Sequence, residues 1–261
     1  MKSLERMFKY LNQNGAKTLV QLMGTIITRK RIHNYATIKK LFINKSGIEI
    51  GGPSGDFKNH GFIPLYKIVK NLDGCNFSND TIWEGKIKSG EYYYQEKRGI
   101  QFISDATDLS FIPQSTYDFV ISSNCLEHVA NPLKALGEWI RIIKKNGLLL
   151  LILPRKDYCF DRNRRITEFS HLLDDYRYNV KEDDLTHLSE ILSLHDYRLD
   201  RASGGRTLFR ERSLNNFKNR ALHHHVYSTS LLKEVLAYFQ MEILMTYEDK
   251  MSNTILGKKY D

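Results

Sequence analysis

Residues 47–55 read Gly-Ile-Glu-Ile-Gly-Gly-Pro-Ser-Gly. A short apolar strand thus ends in a glycine-rich turn, where backbone approaches a ligand closely because no Cβ intervenes. Glu49 is placed to accept hydrogen bonds from a cationic amino group. Downstream stand the other residue types able to do chemistry. They are His171, His187, His195 and the run His223-His-His225, with a basic series Arg155, Lys156, Arg162, Arg164 and Arg165. A histidine beside a hydroxyl removes its proton, whereas arginine holds an anionic oxygen. In an extended run alternate residues face one way, so His223 and His225 are expected to share a pocket side while His224 faces outward.

Metal chemistry is weighed against this. Asp174, Asp175, Asp183, Asp184, His187, Glu190 and His195 are plentiful ligand types, and His187 and Glu190 share a face on a helix. No zinc spacing such as H-E-x-x-H occurs, so no metal site is expected from spacing, although a divalent ion is compatible with the composition. Asp183-Asp-Leu-Thr-His-Leu reads equally well as a helix N-terminus, where carboxylates complement the dipole.

The elements that must position these groups follow from periodicity. Strands are expected at 46–52, 73–78, 101–104, 117–123 and 148–153. An amphipathic helix is expected over Leu133–Lys144, stopped by Gly147. Residues 80–99 read as a loop or small hairpin excursion. A helix over Ser230–Phe239 and strands at Glu242–Tyr247 and Asn253–Gly257 close the chain. Near-continuous apolar strands alternating with helices predict an α/β fold, a mostly parallel sheet covered on both faces. Four segments result: a helical stretch over 1–45 (Leu4, Met7, Phe8, Leu11, then Leu19–Ile27) above the site, a ligand-binding core at 46–154, a polar insertion at 155–227, and a helix with two strands completing the sheet at 228–261.

Composition sets bounds. The 261 residues carry a net charge of +9, which suits an anionic partner, but the basic residues are dispersed and form no stripe that would track a phosphate backbone. Three cysteines, Cys75, Cys125 and Cys159, form no C-x-x-C pair, which fits a reducing cytoplasmic compartment. Neither a signal-peptide core nor an apolar run near the roughly 18 residues of a membrane span is present. The turn lacks the G-x-G-x-x-G spacing of nicotinamide enzymes. The Asn/Asp-Pro-Pro-Tyr motif of nucleic-acid amino methylation is absent too.

In order, several segments resemble the motifs of class I S-adenosylmethionine-dependent methyltransferases. These are Glu49-Ile-Gly-Gly-Pro-Ser-Gly55, Asp73-Gly-Cys-Asn-Phe-Ser78, Ser104-Asp-Ala-Thr-Asp-Leu109, Tyr117–Val129 and Ile142–Leu150. The resemblance implies a Rossmann-like fold with an added polar acceptor-binding segment, and S-adenosyl-L-methionine as cofactor. It implies that Glu49, Gly51, Gly52, Pro53, Ser54 and Gly55 border the methionine part, with Glu49 at the ammonium. Asp105 and Ala106 would meet adenine, and Asn124, Glu127 and His128 the sulfonium end. Asn76 occupies the place of the carboxylate that usually accepts both ribose hydroxyls, a departure from the pattern; Asp73 or Glu84 are alternatives. The whole chain is also similar to methyltransferases of capsule and surface-polysaccharide pathways, through Thr81-Ile-Trp-Glu-Gly85, Asp184-Leu-Thr-His-Leu188 and His223-His-His-Val226 among others. That likeness implies a small phosphorylated or sugar acceptor, foremost a phosphoramidate oxygen. His187, His223 and His225 are then the candidate catalytic groups, and Tyr93, Arg155, His171 and His195 the candidate acceptor contacts.

Overall fold

The structure, a computed structural model, describes residues 30–88, 90–200 and 203–260. The helical expectation over Leu4–Leu11 and Leu19–Ile27 lies outside the described residues. The first described helix is α1 (Tyr35–Phe42), which buries Ile38 and Phe42.

Seven strands form the main sheet among the described residues: β1 (Ser46–Ile50), β2 (Asn71–Asn76), β7 (Gln101–Ile103), β8 (Tyr117–Ser123), β9 (Ile143–Pro154), β10 (Met241–Glu248) and β11 (Ser252–Lys259). Their spatial order is β10-β11-β9-β8-β1-β2-β7. The pairs β7/β2, β2/β1, β1/β8 and β8/β9 are parallel, and β11 runs antiparallel to both β9 and β10. Strand order reverses beside β1: the chain moves outward to β2 and β7, then returns to β8 on the other side. Such a switch point opens a crevice at the carboxyl ends of the strands. The excursion between β2 and β7 forms two small hairpins, β3 (Asp80–Thr81) with β4 (Gly85–Lys86), and β5 (Tyr92–Tyr94) with β6 (Lys97–Gly99).

Side-chain alternation explains the layers. In β9, Leu149, Leu151 and Leu153 pack on one face with α2 (Pro132–Ile142) and α7 (Thr229–Tyr238). Leu148, Leu150 and Ile152 pack on the other with α1, Phe57, Tyr66 and the tyrosines of β5. All six are at most 1% exposed, and burying each is worth about 1.5–3 kcal/mol. This two-sided burial is why β9 reads as a continuous apolar run.

Helix α2 starts where Asn131 accepts from the Lys134 N–H and Pro132 supplies a preset φ. It ends at Ile142, two residues before the expected stop, because Ile143 already turns extended and pairs with Tyr117. Ser228 caps α7 in the same manner as Asn131, accepting from the Leu231 N–H.

The polar insertion folds as helices α3 (Phe169–Arg177), α4 (Leu188–Leu194), α5 (Arg206–Leu214) and α6 (Asn216–Asn219). A small apolar cluster of Ile191, Phe209 and Leu222 sits inside it. Among the described residues, no helix is long and apolar enough to cross a membrane.

Candidate active site

Two constraints shape the turn after β1. Gly51 has φ +80°, a conformation that L side chains rarely adopt, and a Cβ there would come within 2.6 Å of Cys125 Sγ. A Cβ at Gly52 would collide with the Glu49 carboxyl and the Tyr92 hydroxyl. Two hydrogen bonds then set the turn: the Gly51 backbone N–H donates to Cys75 O, and the Asn76 side-chain amide donates to Gly52 O at 2.8 Å. Gly55 differs, since a Cβ there would meet nothing within 4 Å.

Glu49 is fully buried beneath this turn. One oxygen accepts from the Ser54 N–H at 2.8 Å; the other accepts from the hydroxyls of Tyr66 at 2.7 Å and Tyr92 at 2.6 Å. Burial pushes its carboxyl up to about 7, with the three donors pulling in the opposite sense. Glu49 therefore braces the turn from below and is not part of the cavity wall that the turn borders.

That wall encloses a cavity of about 280 Å³ at the carboxyl ends of β1, β2 and β8, close to the lower end of small-molecule sites, about 300 Å³. Gly51, Pro53 and Ser54 form one side, and Ser123, Asn124 and Cys125 the floor beyond β8. Phe77, Trp83 and Glu84 line it as well, together with Asp105 and Ala106. His128, Val129, Glu182 and Arg220 complete it. Asn124 itself takes a left-handed conformation, φ 49°, and donates to Ser123 Oγ.

The loop carrying Asp105 is held from behind. Trp139 Nε1 donates to Ala106 O at 2.9 Å, while the Arg141 guanidinium spans Leu109 O and Ile112 O. Asp105 Oδ1 accepts from the backbone N–H and the hydroxyl of Thr107, and Oδ2 accepts from Arg220 at 3.0 Å. One lone pair of Oδ2 is left for an amino group.

Asn76 ends β2 as expected, but its Oδ1 is buried without a hydrogen-bond partner among the described residues. Asp73 is excluded as the substitute ribose carboxylate. Its oxygens accept from the Ile100 N–H and the Tyr117 hydroxyl, so it serves the sheet. Glu84 stands in the cavity wall instead, next to Trp83.

Most of the singled-out histidines fall into two groups. In the first, His223 Nδ1 sits 2.5 Å from Asp161 Oδ2, and Arg164 donates to Asp161 Oδ1 at 3.0 Å and to the carbonyls of His223 and His224. His128, whose Nδ1 meets Leu222 O at 3.0 Å, crosses His223 edge-on with centroids 4.5 Å apart and carries Trp83 on its other side. Glu127 adds a carboxylate with both oxygens buried and no hydrogen-bond partner among the described residues. Burial raises the Glu127 carboxyl to about 7 and lowers His128 to about 3. His223 is raised despite its burial, because Asp161 and Glu127 favour its protonated form. Asp161 is held down at about 2 by the His223 and Arg164 charges, which outweigh its burial.

The second group joins His171, His187 and His225. His224 lies between the groups and is buried, contrary to the expectation that it faces outward. Its Nε2 is 3.0 Å from the Asn216 amide and 3.7 Å from Glu182, because the insertion folds over this segment.

Other expected contacts fall elsewhere. His195 packs on Phe209 (centroids 3.9 Å) with Nε2 3.2 Å from Asp200, inside the insertion's own core. Arg155 reaches Asp157 and Asp249 O at the edge of β11. Tyr93 is exposed and bonds Glu91, lining a second depression that shares Pro53 and Glu84 with the main cavity. Sequence reasoning did not single out Asp161, Glu182 or Arg220 as site residues. Each reaches the site across a long stretch of chain, and no local motif marks it.

Residues 4–221 match a methyltransferase domain family. The chain belongs to this family. It is a class I S-adenosylmethionine-dependent methyltransferase with a Rossmann-like fold. Among solved structures the methyltransferase is similar to a SAM-dependent methyltransferase from Methanosarcina mazei, at 16% identity over 88% of this chain and 99% of that one, TM-score 0.49. It is also similar to an S-adenosylmethionine-dependent methyltransferase from Mesorhizobium loti, at 12% identity over 87% and 96%, TM-score 0.47. A third is a SAM-dependent methyltransferase from Aquifex aeolicus, at 12% identity over 86% and 87%, TM-score 0.43. No curated protein matches the methyltransferase significantly. The cavity fits the cofactor by its own chemistry. Its wall combines a glycine turn, two aromatic rings, the carboxylates of Glu84 and Asp105, and Ala106, the donor, acceptor and stacking types that a charged nucleoside needs.

Proposed function

We propose that the enzyme methylates a hydroxyl oxygen of a small sugar-containing acceptor, with His223 as the base. The observation that carries this reading is the His223–Asp161 pair, 2.5 Å apart, with the His223 ring in edge-on contact with His128 at the cavity's border. Bound in the cavity, S-adenosylmethionine supplies a methyl group already activated on a sulfonium. The chain's part is alignment and proton removal. Asp161 fixes the imidazole with its proton on Nδ1, so Nε2 presents the lone pair that takes the hydroxyl proton. Arg164 holds Asp161 and the backbone of His223 and His224, which keeps the base in place.

The likeness to capsule and surface-polysaccharide methyltransferases leaves two acceptors, a sugar hydroxyl and a phosphoramidate oxygen. Charge favours the hydroxyl. Arg220 is committed to Asp105 and Glu182, and Arg164 to Asp161 and backbone carbonyls. Glu84, Glu127 and Glu182 add acidic groups at or beside the cavity. An anionic acceptor would face carboxylates there, whereas a neutral hydroxyl meets a raised-pKa base.

Turnover with S-adenosylmethionine and a panel of nucleotide sugars, with and without a phosphoramidate group, tests the reading. Methylation of sugar carbon-bound oxygen is the expected product. Methylation confined to the phosphoramidate oxygen, with His223→Gln fully active, would overturn it.

A further inference from the structure

Three histidines from separate segments converge on one point of the insertion. His171 comes from α3, His187 stands immediately before α4, and His225 lies in the extended run before α7. Each ring offers one nitrogen, and the three nitrogens lie within 4.8 Å of one another. His171 Nε2 and His187 Nε2 are 2.9 Å apart, nitrogen to nitrogen.

The second observation concerns His225. Its Nε2 is 2.8 Å from Asp175 Oδ2, and the ring is buried. A carboxylate at Nε2 fixes the proton there and leaves Nδ1 as a bare lone pair. That Nδ1 is buried and has no hydrogen-bond partner among the described residues. A buried acceptor left open in this way is costly unless something fills it. An imidazole whose second nitrogen is held by a carboxylate is the usual arrangement of a metal-bound histidine.

We propose that His171, His187 and His225 bind a divalent transition-metal ion such as Zn²⁺, with Asp175, whose Oδ2 is 2.8 Å from His225 Nε2 and 3.5 Å from His171 Nε2, as the carboxylate that holds both rings. Three imidazole nitrogens select zinc-like ions over magnesium or calcium, which require oxygen donors. The rings of His171 and His187 keep side-chain exposures of 37% and 23%, so the fourth position of a tetrahedral ion opens toward solvent. Glu190 lies 3.8 Å from His187 Nδ1 and completes the outer ring of supporting groups.

The site is separate from the His223–Asp161 pair, so its test does not depend on the acceptor. The full chain without a histidine tag is stripped with chelator and titrated with Zn²⁺ against a chromophoric competitor; Co²⁺ is then loaded and its visible absorption recorded. One equivalent of Zn²⁺ and a tetrahedral Co²⁺ spectrum are expected. His187→Gln, at a partly exposed position, should weaken Zn²⁺ binding roughly 10-fold or more, with S-adenosylhomocysteine affinity retained as the measure of a folded chain. His223→Gln should keep the full equivalent. Failure of the unsubstituted protein to bind either ion at micromolar levels would overturn the proposal. Equal binding by the folded His187→Gln and His171→Gln variants would do the same.

Discussion

Arg220 Nη2 meets Asp105 Oδ2 at 3.0 Å across 115 residues of sequence. The same guanidinium reaches Glu182 Oε2 at 3.0 Å through Nη1 and lies over the Phe77 ring. One side chain thus ties the insertion to the core loop at the cavity's edge. Its backbone is left-handed, φ 51°, so the residue is held in an uncommon conformation while making these contacts.

This tie predicts coupling between the insertion and cofactor binding. Arg220→Met should leave Asp105 and Glu182 without their shared cation and loosen S-adenosylhomocysteine binding. The pair is partly exposed, so solvent screening limits the effect to about 1–2 kcal/mol. Calorimetry on Arg220→Met, Asp105→Asn and the double variant measures it. Strict additivity of the two single effects would show that the contact contributes nothing to affinity.

Glycine contrasts provide a sharper test of the turn. Gly51→Val introduces a side chain at φ +80°, where it also collides with Cys125. Backbone strain alone costs about 1–3 kcal/mol, and the collision displaces the cavity floor. Cofactor binding should fall below detection while the far-ultraviolet circular dichroism stays that of a folded chain. Gly55→Ala meets open space and should shift affinity by no more than about 0.5 kcal/mol. Equal affinities for the two variants would remove the turn from the cofactor site.

Much of this was legible in the sequence, for a physical reason. Strands buried on both faces must be apolar throughout, so Leu148–Leu153 and Tyr117–Ser123 announce themselves, and the helix before β9 carries its 3.6-residue stripe. The turn and Asp105 lie at strand ends, where local sequence fixes local geometry. The histidine groups are different. His223 meets Asp161, and His225 meets His171 and His187, through loops and short helices whose mutual placement no periodicity encodes. Alternation along 223–225 does not place even the outer pair: His223 and His225, expected to share a pocket side, fall into different groups, on Asp161 and on Asp175. It fails for His224 as well, because the insertion covers both sides of that segment, leaving no outward face. The Asp73 alternative failed likewise: a carboxylate near a strand end was visible, but its capture by Tyr117 across 44 residues was not.

The His223–Asp161 pair sets a pH dependence. A base must be neutral to act, and Asp161 raises the pKa of His223 above its ordinary 6.5. The acceptor-dependent kcat/KM should therefore rise with pH through an inflection above 6.5 and then level. Asp161→Asn removes the main charge holding that pKa up, so the inflection should move toward lower pH and the plateau should fall. His223→Gln should lose about 10²–10⁴ in kcat with cofactor affinity unchanged. A pH profile identical in Asp161→Asn and the unsubstituted enzyme would show that this histidine is not the titrating base.

Glu127 makes an independent prediction about stability. Its two oxygens are buried without hydrogen-bond partners among the described residues, and its carboxyl is raised from 4.5 to about 7 by burial. The folded state therefore binds a proton that the unfolded chain releases between these values. The resulting stabilisation is fully present below about pH 4.5 and is lost as pH rises through 7. Glutamine at this position has the same shape and no charge to desolvate. Glu127→Gln should thus match the unsubstituted protein near pH 4.5 and exceed it at pH 8, by on the order of 3 kcal/mol at most. The loss of Glu127's attraction for protonated His223 acts in the opposite direction wherever both groups are charged, so the measured gain at pH 8 should fall below that ceiling. Urea unfolding at both pH values reads the difference directly. A variant less stable at pH 8 than at pH 4.5, relative to the unsubstituted chain, would mean that the ionised carboxylate is a stabilising partner of the His223 group.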